Sequence, residues 1–165
     1  LKFIMLPKDD EYAPCIFSSS DVSKLLTTAR ANDPGLVHYL ALGVFAGIRP
    51  DEIMRLNWRD IGQTDVEIGA NKAKTRKRIL VTLSPNLSDW LALGGALPPQ
   101  NKRKRIEDVR KACGVTWGHD IMRHSFASYH LALHFSPDKT SHELGHRDTS
   151  MLYRHYRDWV FEIRS

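Results

Sequence analysis

The chain has 165 residues, 42% hydrophobic and 26% charged, with a formal net charge of +5; this balance fits one globular domain with a real core and excludes a disordered or fibrous segment. Two cysteines, Cys15 and Cys113, are too few for a disulfide scaffold and lack metal-ligand spacing, so a reducing, cytoplasmic setting is expected. The longest apolar run, 39–48, is far shorter than the roughly 20 residues that span a bilayer, and no export signal opens the sequence, so no membrane partner is expected.

Residues 1–17 contain Pro7 and Pro14 and hold no period, which predicts an extended arm before a domain over 18–165. Ser18-Ser19-Ser20-Asp21 supplies N-cap chemistry for a helix over about 21–31, with Val22, Leu25, Leu26 and Ala29 on one face. Asn32-Asp33-Pro34-Gly35 ends it. A strongly apolar helix follows over 36–46 and breaks at Gly47. Pro50, Asp51 and Glu52 then suit the first turn of a short helix reaching about Asn57, with Arg49 at its entry. Alternation over 65–69 and a β-branched run over 79–83 predict a hairpin with a basic turn, closed by Pro85. Further helices are expected over 86–93, over 104–112 ending at Gly114, over 120–132, over 137–144, and from Asp148 or Thr149 to 162. The predicted fold class is mainly α with a small antiparallel sheet, an α+β domain.

The positive charge is local. Residues 72–111 hold 11 basic and 3 acidic side chains, whereas 1–71 hold 7 and 10, and 112–165 hold 6 of each. One cluster, Lys72, Lys74, Arg76, Lys77 and Arg78, falls in the hairpin turn. The other is Lys102, Arg103, Lys104 and Arg105, with Arg110 and Lys111 behind it. Such clusters offer a surface for nucleic-acid phosphates, because each neutralised phosphate releases counterions whatever the base sequence. A solvated hairpin and a solvated helix start would carry the same charges.

Three stretches together resemble the catalytic domain of the tyrosine recombinase (phage integrase) family: Ala46-Gly47-Ile48-Arg49-Pro50-Asp51-Glu52-Ile53 with Leu56 and Trp58, then Arg123-His124-Ser125-Phe126-Ala127-Ser128, and Leu144-Gly145-His146 followed by Tyr156. Singly each is weak; their shared order and separation make them specific from about residue 17 onward. The resemblance implies an enzyme of DNA recombination or integration, as carried by mobile elements, that cuts double-stranded DNA through a 3′-phosphotyrosine and rejoins it without a cofactor or metal. It implies Tyr156 as nucleophile, with Tyr153 the competing tyrosine, and Arg49 and Arg123 on the phosphate. Guanidinium forks suit that task because they bind phosphate oxygens bidentately and stay charged. It also implies Lys74 as the acid that protonates the leaving 5′ oxygen, with Lys72 and Lys77 as alternatives, and His146 assisting at the phosphate. The remaining turn and helix cations, Lys72, Arg76, Lys77, Arg78, Lys102, Arg103, Lys104 and Arg105, become DNA-backbone contacts. A separate DNA-binding domain ahead of this one, a tetramer on DNA and a free monomer are further expectations.

One position departs from the family. Its second arginine motif reads His-x-x-Arg, whereas here Asp120 stands three residues before Arg123 and His119 four. Either His119 reaches the phosphate from a remodelled helix start, the reading favoured on sequence, or Asp120 takes the histidine's place. This departure motivates a rival, a DNA-binding module of the same fold that has lost cleavage. A second rival is a zinc peptidase, because His142-Glu143-Leu144-Gly145-His146 spells His-Glu-x-x-His. The extended peptidase pattern would place Gly and His where this chain has Thr149 and Leu152, so that reading stays minor.

Overall fold

The computed structural model describes residues 15–146 together with Thr149 and Leu152. Residues 1–14 of the expected 1–17 arm, and the expected final helix apart from Thr149 and Leu152, lie outside the described residues, Tyr153 and Tyr156 with them.

Helix α1, Ser19–Asn32, starts where its cap chemistry places it. Ser18 is extended, its Oγ accepts the Asp21 N–H at 3.1 Å, and the Asp21 carboxylate accepts the Ser18 N–H at 3.0 Å. The face carrying Leu25, Leu26 and Ala29 is buried. Helix α2, Val37–Ala46, is buried on nearly every side, as its uniformly apolar sequence requires, and packs against α1 and the later helices α4 (Pro85–Leu91) and α6 (Ile121–His134).

Gly47 caps α2 at φ +62°, and a Cβ there would lie 2.4 Å from the Phe126 ring, so the turn demands glycine twice over. The chain then enters α3, Pro50–Ile53, through an extended Arg49. This helix is four residues shorter than expected. The Arg55 and Leu56 N–H groups bond three residues back, to Glu52 and Ile53 carbonyls, which tightens the turn and buries Leu56. Asn57 caps a 3₁₀ turn over Trp58–Asp60, and the Trp58 Nε1–H donates to the Gly95 carbonyl at 2.7 Å.

Strands β1, Asp65–Ile68, and β2, Ile79–Thr82, pair antiparallel with Asp65 opposite Thr82 and Ile68 opposite Ile79. Val66, Ile68, Ile79 and Val81 point into the core, which leaves the first basic cluster in the connecting turn. Helix α5, Lys102–Cys113, starts two residues earlier than expected. Four consecutive cations oppose a helix N-terminus, and here tertiary contacts offset that: the Arg105 guanidinium clasps the Asp33 carboxylate, and Lys102 lies 3.8 Å from Asp51 and over the Tyr39 ring. Helix α7, Pro137–Glu143, opens on a Ser136 cap and packs against α6 and β2. The observed architecture is mainly helical with a two-stranded antiparallel sheet, and no described helix is long and apolar enough to cross a membrane.

Gly47→Ala should lower stability by about 2–4 kcal/mol, the left-handed penalty plus the overlap with Phe126. Urea unfolding reads this as a lower midpoint at similar slope; an unchanged midpoint would contradict the packing described.

Candidate functional site

Arg123, on α6 and only 7% exposed, joins three segments. Its Nη1 donates to the Gly47 carbonyl and its Nη2 to the Leu144 carbonyl, both at 2.6 Å, and Nη2 also lies 2.9 Å from His146 Nε2. A guanidinium can only donate, so Nε2 accepts and the imidazole proton sits on Nδ1. Burial first, and then the charges of Arg123 and Arg49, hold the His146 pKa down at about 4, which keeps the ring neutral near pH 7. Among the described residues, His146 Nδ1 is buried with no hydrogen-bond partner, and so is Arg49 Nη1, which is ion-paired with Glu52 Oε1 at 3.6 Å. A buried donor left without an acceptor costs about 1–3 kcal/mol. Both lie near the positive charges of Arg49 and Arg123, a setting whose potential suits an anion.

Two carboxylates place the rest. Glu52 is 2% exposed; its Oε1 accepts the Lys74 N–H at 2.8 Å and its Oε2 the Arg49 N–H at 3.4 Å, which draws the hairpin turn against the entry of α3. The Lys74 side chain is exposed in a cleft of about 1210 Å³ that it shares with Arg49, Arg55, Arg76, His119 and Asp120. Glu143 accepts the Thr82 N–H at 2.9 Å and its Oγ1–H at 2.7 Å, fastening the end of α7 to the outer edge of β2. Gly145 follows at φ +63°, where a Cβ would meet Ile79 Cδ1 at 2.5 Å, so the His146 loop lies on the strand that leaves the Lys74 turn. The sequence reading missed both carboxylates as positioning groups. Glu52 sits three residues after Arg49, a capping-box spacing that signals its bond to the Arg49 N–H, but nothing local signals the bond to Lys74.

The structure thus gathers Arg49, Lys74, Arg123 and His146, and puts Tyr156 outside the described residues. His119 stands at the same cleft with its side chain 93% exposed, Nε2 3.6 Å from the Asp120 carboxylate. The basic residues divide. Lys72 pairs with Asp60, Arg78 with Glu67, Arg105 with Asp33 and Lys102 with Asp51. Arg76, Lys77, Arg103 and Lys104 are exposed and have no carboxylate within 4 Å among the described residues. The peptidase geometry does not form: α7 ends at Glu143, His142 faces solvent, and Glu143 is held by Thr82. Another large depression, about 700 Å³ between α1, α2, α4, α6 and α7, is lined by apolar groups such as Val22, Phe45, Trp90 and Phe126 and contains none of the expected catalytic residues.

Comparison with solved structures gives the fold a class. The XerA recombinase superposes with a TM-score of 0.75 at 15% identity, over 92% of this chain and 64% of that one. The catalytic domain of bacteriophage HP1 integrase gives 0.73 at 18% identity, over 88% of each chain. The XerH site-specific recombinase bound to its palindromic difH substrate gives 0.71 at 16% identity, over 93% of this chain and 52% of that one. At these identities the likeness defines the architecture, which is the tyrosine recombinase catalytic fold. No protein-family model and no curated protein sequence matches the chain. It spans less than two thirds of the XerA chain and about half of the XerH chain.

Three histidines, His38 buried and His130 and His146 half-buried, make acid stability a test of this geometry. Burial lowers the His38 pKa, and burial with neighbouring positive charge lowers His130 and His146 to about 4. Each folded pKa lies below its unfolded value of 6.5, so the stabilisation is complete above that pH and is lost as pH falls toward about 4, where the unfolded chain takes up protons the folded one refuses. The thermal midpoint should fall continuously between pH 6.5 and 4; a flat or rising profile would contradict the neutral, buried state of these rings.

Proposed function

We propose that this chain is the catalytic domain of a site-specific DNA recombinase or integrase, which cuts and rejoins double-stranded DNA through a 3′-phosphotyrosine. The observation that carries the reading is the pair of buried donors, Arg49 Nη1 and His146 Nδ1, that have no hydrogen-bond partner among the described residues and lie near the Arg123 guanidinium. A bridging phosphodiester offers two unsubstituted oxygens, and negative charge on them grows as a nucleophile adds. Donors fixed in advance stabilise that state more than the ground state. The fold shared with recombinase catalytic domains supports the same reading.

In this mechanism the Tyr156 oxygen attacks phosphorus, Arg49 and His146 donate to the non-bridging oxygens, and Arg123 adds charge while holding His146 in its Nδ1–H tautomer. Lys74, which lines the same cleft as Arg49 on a turn pinned by Glu52, gives a proton to the departing 5′ oxygen. The phosphotyrosine conserves the bond, so rejoining needs no energy cofactor. Arg76, Lys77, Arg103 and Lys104, the cations without internal partners, are the first-choice backbone contacts. Lys72, Arg78, Lys102 and Arg105 act with their carboxylates already engaged, so their share of the binding is smaller. A lambda integrase of the same fold has been seen as a tetramer on a Holliday junction, and we expect this domain to assemble on DNA in a comparable way.

Nicked duplexes that release the 5′ fragment after cleavage provide the test, used as a random-sequence pool because the target is undefined. The wild-type chain should form a covalent adduct. Tyr156→Phe should form none with DNA affinity unchanged, and Arg49→Ala should slow adduct formation by about 100-fold or more. Adduct persisting in Tyr156→Phe would move the nucleophile to another residue such as Tyr153. Intact binding with no adduct from the wild type would make the chain a non-cleaving DNA-binding module.

A further inference from the structure

A lysine that hands a proton to a departing oxygen works only if its backbone puts the ammonium within reach of that atom. Lys74 has an exposed side chain and sits on the turn that joins β1 to β2. The turn makes backbone bonds of its own: the Lys72 and Ala73 N–H groups donate to the Gly69 carbonyl, and the Arg76 N–H to the Ala73 carbonyl. These give the turn its shape, but they do not fix where it lies over the cleft. Groups outside it do that. Asp60 takes the Lys72 ammonium through a long side chain, and Glu52 accepts the Lys74 N–H directly at 2.8 Å.

Arg55 is a second group that holds the turn by its backbone. Its Nη1 donates to the Lys72 carbonyl at 2.9 Å, across 17 residues. The Arg55 N–H bonds the Glu52 carbonyl at 2.9 Å, so the tight turn that ends α3 fixes these two residues relative to each other. Together they complement the hairpin turn: Glu52 offers an acceptor to the Lys74 N–H, and Arg55 offers a donor to the Lys72 carbonyl. Ala73, between them, is 4% exposed and belongs to the core. Three consecutive residues are thus fastened in three different ways. Arg55 is exposed, lines the cleft with Arg49 and Lys74, and forms no ion pair among the described residues. Its hold on the carbonyl is therefore not a by-product of charge pairing.

We propose that Arg55 is a positioning residue for Lys74: by holding the Lys72 carbonyl it sets the backbone from which the Lys74 ammonium reaches the leaving oxygen. This rests on the strand-cleavage reading above. As the nucleophile's oxygen bonds to phosphorus, the bond from phosphorus to the 5′ oxygen breaks and its electron pair stays with that oxygen. The Lys74 ammonium supplies the proton and is left as a neutral amine. Loss of the Arg55 bond frees one side of the turn, and a donor displaced by about 1 Å costs on the order of 100-fold in such a step. The contacts among Arg123, Gly47, Leu144 and His146 do not involve Arg55 and stay in place.

The test compares two leaving groups in the nicked-duplex pool with the whole chain, at saturating DNA so that weaker binding from a lost charge does not enter. In one pool the bridging 5′ atom at the cleavage position is oxygen. In the other it is sulfur, which departs with the bonding pair as a stable thiolate and needs no proton. On oxygen, Lys74→Ala should form adduct about 100-fold or more slowly than wild type, and Arg55→Met at least about tenfold more slowly. On sulfur both should come within about threefold of wild type, a rescue that a general loss of folding or of DNA contact would not show. Arg55→Lys, which keeps a donor and the charge, should be faster than Arg55→Met on oxygen. Arg55→Met slowed equally on both pools, or unslowed on oxygen, would overturn the assignment and leave the strand-cleavage reading intact, as would Lys74→Ala remaining slow on sulfur. No adduct from the wild-type chain on either pool would instead overturn that reading and this one with it.

Discussion

A single buried guanidinium organises this molecule. Arg123 reaches 76 residues back to the Gly47 carbonyl and 21 residues forward to the Leu144 carbonyl, and its Nη2 also meets His146. Removing a charge from water costs several kcal/mol unless its hydrogens find acceptors, so those two carbonyls must stand where Arg123 needs them. Each adjoins a left-handed glycine, Gly47 itself at the end of α2 and Gly145 after α7. The residues that follow these turns, Arg49 and His146, each carry a buried donor with no hydrogen-bond partner among the described residues. Packing, backbone conformation and site electrostatics therefore depend on the same contact.

The hairpin is joined to this centre by carboxylates rather than by apolar packing alone. Glu52 holds its turn at Lys74, and Glu143 holds its far strand at Thr82. Both are nearly buried acids that accept N–H groups, an arrangement more directional than hydrophobic contact. The Lys74 side chain is exposed on a backbone that Glu52 holds. The paired cations contribute in another way: Asp33 clasps Arg105 and so ties α5 to the end of α1, fixing the helix from which Arg103 and Lys104 project.

Much of this was legible in the sequence where local rules decide. The Ser18–Asp21 cap, the Gly47 stop, the two strands of the hairpin and the helix starts at Pro50 and Pro137 follow from backbone preferences within a few residues. Expectation failed where distant contacts override them. Helix α3 stops early because Leu56 turns inward and Trp58 reaches Gly95, 37 residues away; α5 starts early because Asp33 and Asp51 neutralise its cations. Within the site, Arg49, Lys74, Arg123 and His146 were named from motif order and fall into one neighbourhood. The tautomer of His146 and the division of the basic clusters into engaged and unengaged cations depend on partners 11 to 72 residues apart and could not be read beforehand.

The central proposal is that burial, with Arg123, holds His146 neutral in its Nδ1–H tautomer, so that this N–H and the Arg49 guanidinium donate to a phosphate. Nitrogen-15 NMR of the histidine rings and arginine side chains, recorded while a short DNA duplex is added, tests it directly. In the free protein His146 should show an unprotonated Nε2 and a protonated Nδ1, and on addition of DNA the Nδ1–H and Arg49 Nη signals should shift together and exchange more slowly with water. Signals from Arg49 and His146 that stay unmoved at saturating DNA, while those of exposed cations such as Arg103 respond, would contradict the account.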